Sequence, residues 1–333
     1  MTDTGLQAHG VGSREVRVAM IGAGSMANRV HYPSLASFAD VQIVAICDVD
    51  PTRLEETANT FGIAGRYTDY RKMVEKTQPD VVYAIGPPHI MYDIWVWCLR
   101  QGLHLFVEKP LGITMHQARI VTYLAEQNGC ITQVGFQRRA SPLGMKLRTA
   151  CLERGPIVHA VCRFYKYQPE PSLGAWDHLL DDSVHAIDTL RWMCGGAVVD
   201  VQSTVKRVGV PDINFVSALL QFDNGATGLL LNSWTSGRRI FSVEMHAVGI
   251  AVEADLEGQA RLYADGDTTG VEYSASEVAG SEDFHIFGGF QAKSREFIDS
   301  VKSGLPTGSN FADAFETMRV AETIRAKGLL VKA

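Results

Sequence analysis

The sequence has little that suggests nucleic-acid, membrane or disulfide chemistry. Its 31 Lys and Arg are outnumbered by 37 Asp and Glu, and the net charge is −6, so no basic excess is present to bind phosphate backbones. None of the six cysteines forms a Cys-x-x-Cys pair. Most lie among apolar neighbours, which favours reduced core thiols over disulfides or metal ligands. No apolar run approaches the ~18 residues of a membrane span.

The beginning of the chain lacks targeting features. Met1–Ser13 is polar, with neither the apolar core of a signal peptide nor a twin arginine. We therefore expect a cytoplasmic protein with no membrane or nucleic-acid partner. The histidines show no zinc-ligand spacing, so we expect no metal. A length of 333 residues, 46% of them hydrophobic, predicts two globular domains.

Short apolar runs alternate with helical patterns over the first 136 residues. Continuous apolar strands in such an alternation predict a parallel sheet covered on both faces. The first helix should end before Pro33, because the residue that precedes a proline disfavours helix. We predict an α/β domain over 14–136, with strands at Val16–Ile21, Val41–Cys47, Asp80–Ile85, Leu103–Val107 and Ile131–Phe136.

The pattern changes after about Arg138. Asp223-Asn224-Gly225 is typical of a hairpin turn between two strands. One helix, at about 182–194, interrupts the strands, and two more close the chain at about 284–303 and 310–327. We predict an α+β domain over 137–333 with a large, mainly antiparallel open sheet. One uncovered sheet face predicts a homodimer or homotetramer. The strand-like runs are Ile157–Tyr167, Val198–Arg207, Phe215–Phe222, Ala226–Trp234, Phe241–Val248 and Ala251–Leu256.

A glycine-rich turn follows the first predicted strand and opens a helix. In this order the first glycine makes a tight turn, the second lets backbone approach a pyrophosphate, and a small sixth residue lets the helix pack on the strand. The pattern predicts a Rossmann dinucleotide-binding domain. The expected coenzyme-binding residues here are Gly22, Gly24, Ser25, Met26 and Ala27.

Asp48 ends the second predicted strand, where a carboxylate accepts hydrogen bonds from the ribose hydroxyls and repels a 2′-phosphate. Val49 follows it, at a position where an arginine would favour that phosphate. We therefore predict NAD as the coenzyme, with NADP as the alternative. The competing interpretation is that Asp48 caps a turn, although Asp50-Pro51 is already suited to that.

A set of short motifs is spread along nearly the whole chain. They are the glycine turn, His31-Tyr32-Pro33, Asp48, Gly86-Pro87-Pro88, Gly102-Leu103-His104, Glu108-Lys109-Pro110, Gly135-Phe136-Gln137-Arg138-Arg139, Asp181 to Asp188 and Phe222 to Ala226. Together they resemble the motifs of the glucose–fructose oxidoreductase, inositol dehydrogenase and MocA (Gfo/Idh/MocA) family. Two features depart from the family pattern: many members have a histidine near Met91, and many have three glycines before the Asp181 segment. Both departures concern the substrate side.

The resemblance implies an NAD(P)-dependent dehydrogenase or reductase that acts on CH–OH groups. It places Lys109, Asp181 and His185 in the catalytic group, and adds Pro87, Glu108, Lys109 and Gln137 to the coenzyme site. Glu108 would orient either the coenzyme or Lys109. On a helix, Asp181 and His185 are four residues apart and share a face. The competing interpretations are that Asp181 is only an N-cap and His185 an ordinary structural histidine.

The expected reaction transfers a hydride between the nicotinamide and a secondary alcohol of a sugar, inositol or sugar derivative. His185 would take the hydroxyl proton, Lys109 would stabilise the alkoxide, and Asp181 would hold the imidazole. The alternatives are an NAD-dependent lyase or glycosidase with transient oxidation, and a non-catalytic sugar or NAD sensor. The expected substrate-binding residues are Gln137, Arg138, Trp176, Asp181, His185 and Trp234.

Overall fold

The computed structural model describes residues 14–170 and 178–330. The chain divides into two compact units. One contains Met1–Gly135 and Phe290–Phe315, and the other contains Phe136–Gly289 and Glu316–Ala333. Across the two described ranges, no helix is both long and apolar enough to cross a membrane. All six cysteines are free, as predicted, and burial raises the pKa of the Cys98 thiol to about 12.

The first unit contains a sheet of six parallel strands in the order β3-β2-β1-β4-β5-β6, which confirms the predicted α/β domain class. Every residue of β4 is buried, as expected for a strand covered on both faces. The strand order reverses between β1 and β4, and such switch points are where open sheets bind ligands. The strands are β1 (Val16–Ile21), β2 (Val41–Cys47), β3 (Gly65–Tyr67), β4 (Val81–Ala84), β5 (His104–Val107) and β6 (Thr132–Val134).

Side-chain caps begin several of the helices between these strands. The Asp50 carboxylate accepts from the N–H groups of Thr52 and Arg53 at the start of α2, and Asp69 and Thr114 cap α3 and α5. Each such cap satisfies N–H groups that have no partner within the helix. The helices are α1 (Tyr32–Ala36), α2 (Pro51–Thr60), α3 (Tyr70–Thr77), α4 (Pro88–Arg100) and α5 (Met115–Gln127).

The helix after the glycine turn does not end before Pro33, so that prediction is wrong. Ala27–His31 is π-helical, and α1 follows it directly with Pro33 in its first turn. The Tyr32 N–H donates to the carbonyl of Ala27, five residues back. Because the hydrogen-bond register changes at this point, Pro33 falls where a helix tolerates a residue without an N–H.

The second unit contains an eight-stranded sheet in the order β14-β13-β12-β11-β7-β10-β9-β8. Only β7 and β10 pair in parallel among these strands, so the mainly antiparallel prediction is confirmed. Asp223-Asn224-Gly225 forms the predicted turn between β9 and β10, with Gly225 at φ +85°. The strands are β7 (His159–Tyr167), β8 (Val198–Lys206), β9 (Phe215–Phe222), β10 (Thr227–Ser233), β11 (Thr235–Ala247), β12 (Ile250–Asp255), β13 (Gln259–Ala264) and β14 (Val271–Ser274).

One face of this sheet is covered by helices. Helix α8 packs against β7 and β10, and α6 against β11 and β12. Along β9, alternate side chains from Val216 to Phe222 are buried, whereas Ser217, Leu219 and Gln221 on the other face are not. The helices of this stretch are α6 (Pro142–Arg154), α7 (His178–Asp181), α8 (Ser183–Cys194), α9 (Ala275–Ala279) and α10 (Phe284–Phe287), and Gln137–Ala140 is a 3₁₀ turn.

The predicted continuous second domain, 137–333, is wrong for residues 290–315. Helix α11 (Phe290–Ser303) packs into the core of the first unit through Phe297, Ile298 and Val301. The chain after it hydrogen-bonds to the edge strand β6, because Val134 N–H donates to the Ser309 carbonyl at 2.9 Å. This segment therefore covers a sheet edge that would otherwise expose unpaired backbone groups. Helix α12 (Phe311–Leu330) ends the described chain.

Candidate functional site

The turn after β1 accommodates only glycine at position 22. Gly22 has φ +108°, and a Cβ placed on it would lie 2.0 Å from the carbonyl oxygen of Ile85, just after β4. Its N–H donates to the Cys47 carbonyl at 2.8 Å. Its own carbonyl accepts from the buried Tyr32 hydroxyl at 3.1 Å. Contacts with the ends of β2 and β4 therefore fix the conformation of the turn.

The next residues of the turn leave room for a ligand. A Cβ on Gly24 would meet no atom within 4 Å. Ser25 and Met26 are exposed, whereas Ala27 is buried. Backbone N–H groups at the start of a helix form an anion site, and a dinucleotide needs an open glycine beside a small packed residue. The turn thus fits the pyrophosphate of a dinucleotide.

Asp48 follows β2 and contacts the same turn. Its Oδ2 accepts from the Ala23 N–H at 2.7 Å, and its Oδ1 accepts from the Asp50 N–H at 2.8 Å. The bond from the Asp50 N–H is the local turn cap of the competing interpretation, whereas the bond to Ala23 in the glycine turn was not expected from the sequence. Each carboxylate oxygen has a second lone pair, so both can still accept from ribose hydroxyls. Val49 beside it is 87% exposed.

Glu108 and Lys109 leave β5 at the carboxyl edge of this sheet, where open α/β sheets bind ligands. Both are half-buried. Glu108 Oε1 lies 2.9 Å from Nε2 of His31, the last residue of the π-helical segment. Pro87, the N-cap residue of α4, is exposed after β4. The structure thus places Gly24, Asp48, Pro87, Glu108 and Lys109 after the carboxyl ends of neighbouring parallel strands.

Gln137 and Arg138 lie in the second unit, on the 3₁₀ turn, and both are buried. The Arg138 guanidinium donates to Glu257 at 2.8 Å and lies 3.9 Å from the centroid of the Phe241 ring. Burial lowers its pKa. Arg138 therefore ties the 3₁₀ turn to the sheet, and its expected substrate-binding role stays a prediction. Gln137 stays a prediction.

The helix predicted to carry Asp181 and His185 is broken. Helix α7 ends at Asp181, Asp182 is a turn residue, and α8 begins at Ser183. The N-cap is Asp182 rather than Asp181. Its side chain does not cap α8 but accepts from the Trp234 indole N–H at 3.1 Å and pairs with Lys166. Asp181 and His185 are half-buried, and their catalytic roles stay predictions.

Two tryptophans, Trp176 and Trp234, were expected to face a sugar ring, and the structure describes only Trp234. Trp234 is fully buried, and its ring stacks on His178 with centroids 4.8 Å apart. A side chain with no exposed surface cannot present a ring face to a sugar, so that prediction is wrong. Trp176 lies outside the described residues. In the described ranges, no three His, Cys, Asp or Glu side chains are grouped to hold a metal ion.

Comparison with known proteins covers most of both units. Residues 16–136 match the family model described as an oxidoreductase family with an NAD-binding Rossmann fold, and residues 153–249 match the GFO/IDH/MocA C-terminal domain. The chain belongs to the GFO/IDH/MocA family. It is therefore an NAD-dependent oxidoreductase, with its coenzyme domain at the N-terminal end.

Relatives of this GFO/IDH/MocA protein include myo-inositol 2-dehydrogenase of Thermotoga maritima, which is 25% identical over 87% of this chain and 90% of its own. Among solved structures, a dehydrogenase from Chromobacterium violaceum has a TM-score of 0.86 at 21% identity, covering 95% and 96% of the two chains. Levoglucosan dehydrogenase, solved with NADH and levoglucosan, has a TM-score of 0.81 at 18% identity, covering 95% and 98%. At these identities the two structures show a shared fold.

Sequence reasoning missed two buried polar clusters of this GFO/IDH/MocA chain. In the first unit, His31 contacts Glu108. The motif His31-Tyr32-Pro33 drew attention to His31 in the sequence but did not indicate that Glu108 is its partner. In the second unit, Asp188 accepts from Arg139 Nε at 2.7 Å and from the Thr317 hydroxyl at 3.1 Å. No local pattern predicts that second cluster, because Thr317 lies 129 residues beyond Asp188.

Proposed function

We propose that this protein transfers a hydride between NAD and a secondary alcohol or ketone of a sugar, inositol or sugar derivative. The observation that carries the proposal is the turn at Gly24, which is open enough for a pyrophosphate to approach and lies at the same edge of the sheet as Lys109. The substrates named for two similar proteins, myo-inositol and levoglucosan, support the substrate class. Both are cyclic compounds with secondary hydroxyls.

The proposed coenzyme site uses backbone as much as side chains. The turn cradles the pyrophosphate, Asp48 accepts from the ribose hydroxyls, and Glu108 and Lys109 lie beside the nicotinamide half. Gln137 is proposed to contact both coenzyme and substrate. The full proposed set is Gly22, Gly24, Ser25, Met26, Ala27, Asp48, Pro87, Glu108, Lys109 and Gln137.

In the proposed mechanism, the bound nicotinamide supplies the hydride acceptor for a substrate C–H bond. His185 takes the proton of the hydroxyl on the same carbon, because an imidazole can accept and return a proton near neutrality. Lys109 stabilises the negative charge that develops on the oxygen. Asp181 favours the charged imidazole. One hydride and one proton leave the alcohol, which balances its oxidation to a ketone.

Asp48 is proposed to set the preference for NAD over NADP. Because its carboxylate also braces the turn through Ala23, replacing Asp48 would disturb two functions at once. Val49→Arg is the cleaner test, because this exposed position adds a cation while the carboxylate keeps both its backbone bonds. We expect NADP affinity to rise while NAD affinity changes little. A wild-type chain that already prefers NADP would contradict the ribose assignment.

The substrate class is tested with a panel of inositols, pyranoses and sugar derivatives, with NADH absorbance as the readout. Stoichiometric NADH formation supports the dehydrogenase. Product formed without net NADH indicates the lyase or glycosidase alternative, and saturable binding without turnover indicates a sensor. Substrates labelled with deuterium on each carbinol carbon then identify the carbon that loses hydride.

The second unit is proposed to bind substrate and to form a homodimer, or a homotetramer of such pairs. Val161, Leu219 and Leu229 lie side by side on the face of the sheet opposite α8, through the pairings of β7, β10 and β9. A row of aliphatic side chains on an uncovered sheet face suits a second copy of the same face. Leu229→Lys should yield monomers by light scattering, whereas Gln221→Lys near the rim should not.

A further inference from the structure

His31 and Glu108 form a buried contact that the proposed mechanism does not use. His31 Nε2 lies 2.9 Å from Glu108 Oε1, and the two side chains are 1% and 12% exposed. Among the described residues, His31 is the only hydrogen-bond partner of this carboxylate. Both residues belong to the first unit. The contact thus fixes one oxygen of the residue that precedes Lys109.

Aromatic side chains surround the His31 ring, whose one polar contact among the described residues is Glu108. The edges or faces of Tyr83, Phe106 and Phe290 pack around it, with ring centroids 5.2–6.3 Å away. Its Nδ1 is buried and has no hydrogen-bond partner within residues 14–170 and 178–330. An unpartnered buried ring nitrogen carries a desolvation cost. His31 is the last residue of a π-helical segment, and π-helical segments often occur at functional sites.

Gly135 lies against the same Glu108 carboxyl group. A Cβ on Gly135 would lie 2.5 Å from Glu108 Oε1 and 2.9 Å from its Cδ. Glycine at this position therefore makes room for the carboxyl group, at the end of β6 beside β5. The Glu108 carboxyl group contacts the His31 imidazole and packs against the Gly135 backbone, which pre-organises it at the carboxyl edge of the sheet.

We propose that His31 is a positioning residue for the coenzyme site, which acts by holding the Glu108 carboxylate where the nicotinamide half of NAD binds. His31 donates from Nε2, and the other Glu108 oxygen is left to accept from the coenzyme. The proposal rests on the coenzyme role proposed above for Glu108. It assigns His31 no contact with coenzyme or substrate.

Three variants separate positioning from packing. His31→Gln keeps an N–H donor at nearly the place of Nε2, and His31→Leu fills the aromatic surroundings without a donor. Gly135→Ala leaves His31 intact but pushes the Glu108 carboxyl group aside. The NAD dissociation constant is measured by calorimetric titration, beside thermal unfolding and the KM of the alcohol substrate.

A lost hydrogen bond to a charged group corresponds to roughly tenfold or more in affinity. We expect His31→Leu and Gly135→Ala each to weaken NAD binding about tenfold, and His31→Gln to stay within about threefold of wild type. The KM of the substrate should change less than the NAD dissociation constant. In a Glu108→Ala background, which itself weakens NAD binding, His31→Leu should add little, because its effect passes through that carboxylate.

Other results would overturn the proposal. Equal losses in His31→Leu and His31→Gln would show that only packing matters. Unchanged NAD affinity in both His31→Leu and Gly135→Ala would show that the position of Glu108 is irrelevant. If Glu108→Ala alone left NAD affinity unchanged, the coenzyme role of Glu108 would fail, which is a separate error. Should His31→Leu not fold, the Gly135→Ala and His31→Gln pair still decides.

Discussion

The two units differ in how directly their sequences indicate the roles of individual residues. In the first unit, the role of Gly22 follows from backbone geometry, because φ +108° and the nearby Ile85 carbonyl exclude any side chain. In the second unit, the roles of Arg138 and Trp234 depend on which side chains meet across the sheet. Backbone constraints leave a local signature in sequence, whereas side-chain partners distant in sequence do not.

The largest expected effects are losses of kcat on replacing the two residues proposed to carry the chemistry, one in each unit. Lys109→Ala and His185→Ala should each lower kcat about 10²–10⁴-fold, because a positioned acid–base or charge-stabilising group contributes roughly that much. The affinity for NAD should change little. Single-turnover hydride transfer from a deuterated substrate measures the step directly.

Exposed residues of the same types provide the controls. Lys72→Ala on α3 and His116→Ala on α5 should leave kcat unchanged. The double variant of Lys109 and His185 should lose less than the product of the single losses, because both residues are proposed to act on one hydroxyl. A His185→Ala enzyme with wild-type hydride transfer would reduce His185 to a structural residue.

The next largest effect concerns the stability of the second unit. Asp188 is buried and accepts from Arg139 and Thr317. Removing one partner of a buried ion pair leaves the other charge uncompensated, at a cost of about 3–5 kcal/mol. Asp188→Asn should therefore lower the free energy of unfolding by about 3 kcal/mol or more, measured by urea titration with intrinsic tryptophan fluorescence.

The matched substitution in the first unit is Asp50→Ala at the start of α2. It removes an exposed helix cap, which typically costs about 1 kcal/mol. If Asp50→Ala destabilised the protein as much as Asp188→Asn, the contrast between an exposed cap and a buried pair would be wrong.

The two glycines of the turn should separate stability from coenzyme binding. Gly22→Ala places a Cβ against the Ile85 carbonyl in a strained backbone conformation, so we expect a loss of about 3 kcal/mol in unfolding free energy. Gly24→Ala meets open space and should leave stability almost unchanged, while NAD binding weakens because the methyl group occupies the approach of the pyrophosphate. Equal unfolding temperatures for the two variants would contradict this assignment.

The fold could be predicted from the sequence where elements are long or strongly patterned. The apolar runs of β1 and β2 and the hairpin before Gly225 are of this kind. The three-residue edge strand β3 has no such pattern, and the placement of α11 depends on contacts with β6 and the first core. Likewise no residue pattern in the sequence predicted the π-helical segment before Pro33, which ends at His31 among aromatic rings from distant parts of the chain.

The smallest predicted effect concerns a partly exposed ion-pair cluster of the first unit. Asp40 pairs with Arg295 at 2.7 Å and with Lys302, and these hydrogen bonds lower the pKa of Asp40 to about 2. Because the folded pKa lies below the unfolded value, the pairing stabilises the protein above the unfolded pKa of roughly 3.9. That contribution is lost as the pH falls toward 2. Asp40 is 38% exposed, so solvent screening limits it to less than about 1 kcal/mol.

Asp40→Asn should therefore lower the thermal unfolding temperature slightly at pH 7, by no more than about 2–4 °C. The difference from wild type should shrink as the pH approaches 2, where the wild-type carboxylate also becomes protonated. Added salt at pH 7 should reduce the difference as well, because exposed charges are screened. A difference that stayed constant from pH 7 to pH 2 would mean that Asp40 contributes through packing or neutral hydrogen bonds. The difference in stability effect between Asp188→Asn and Asp40→Asn would then reflect only how deeply each residue is buried, and the charge of Asp40 would contribute nothing.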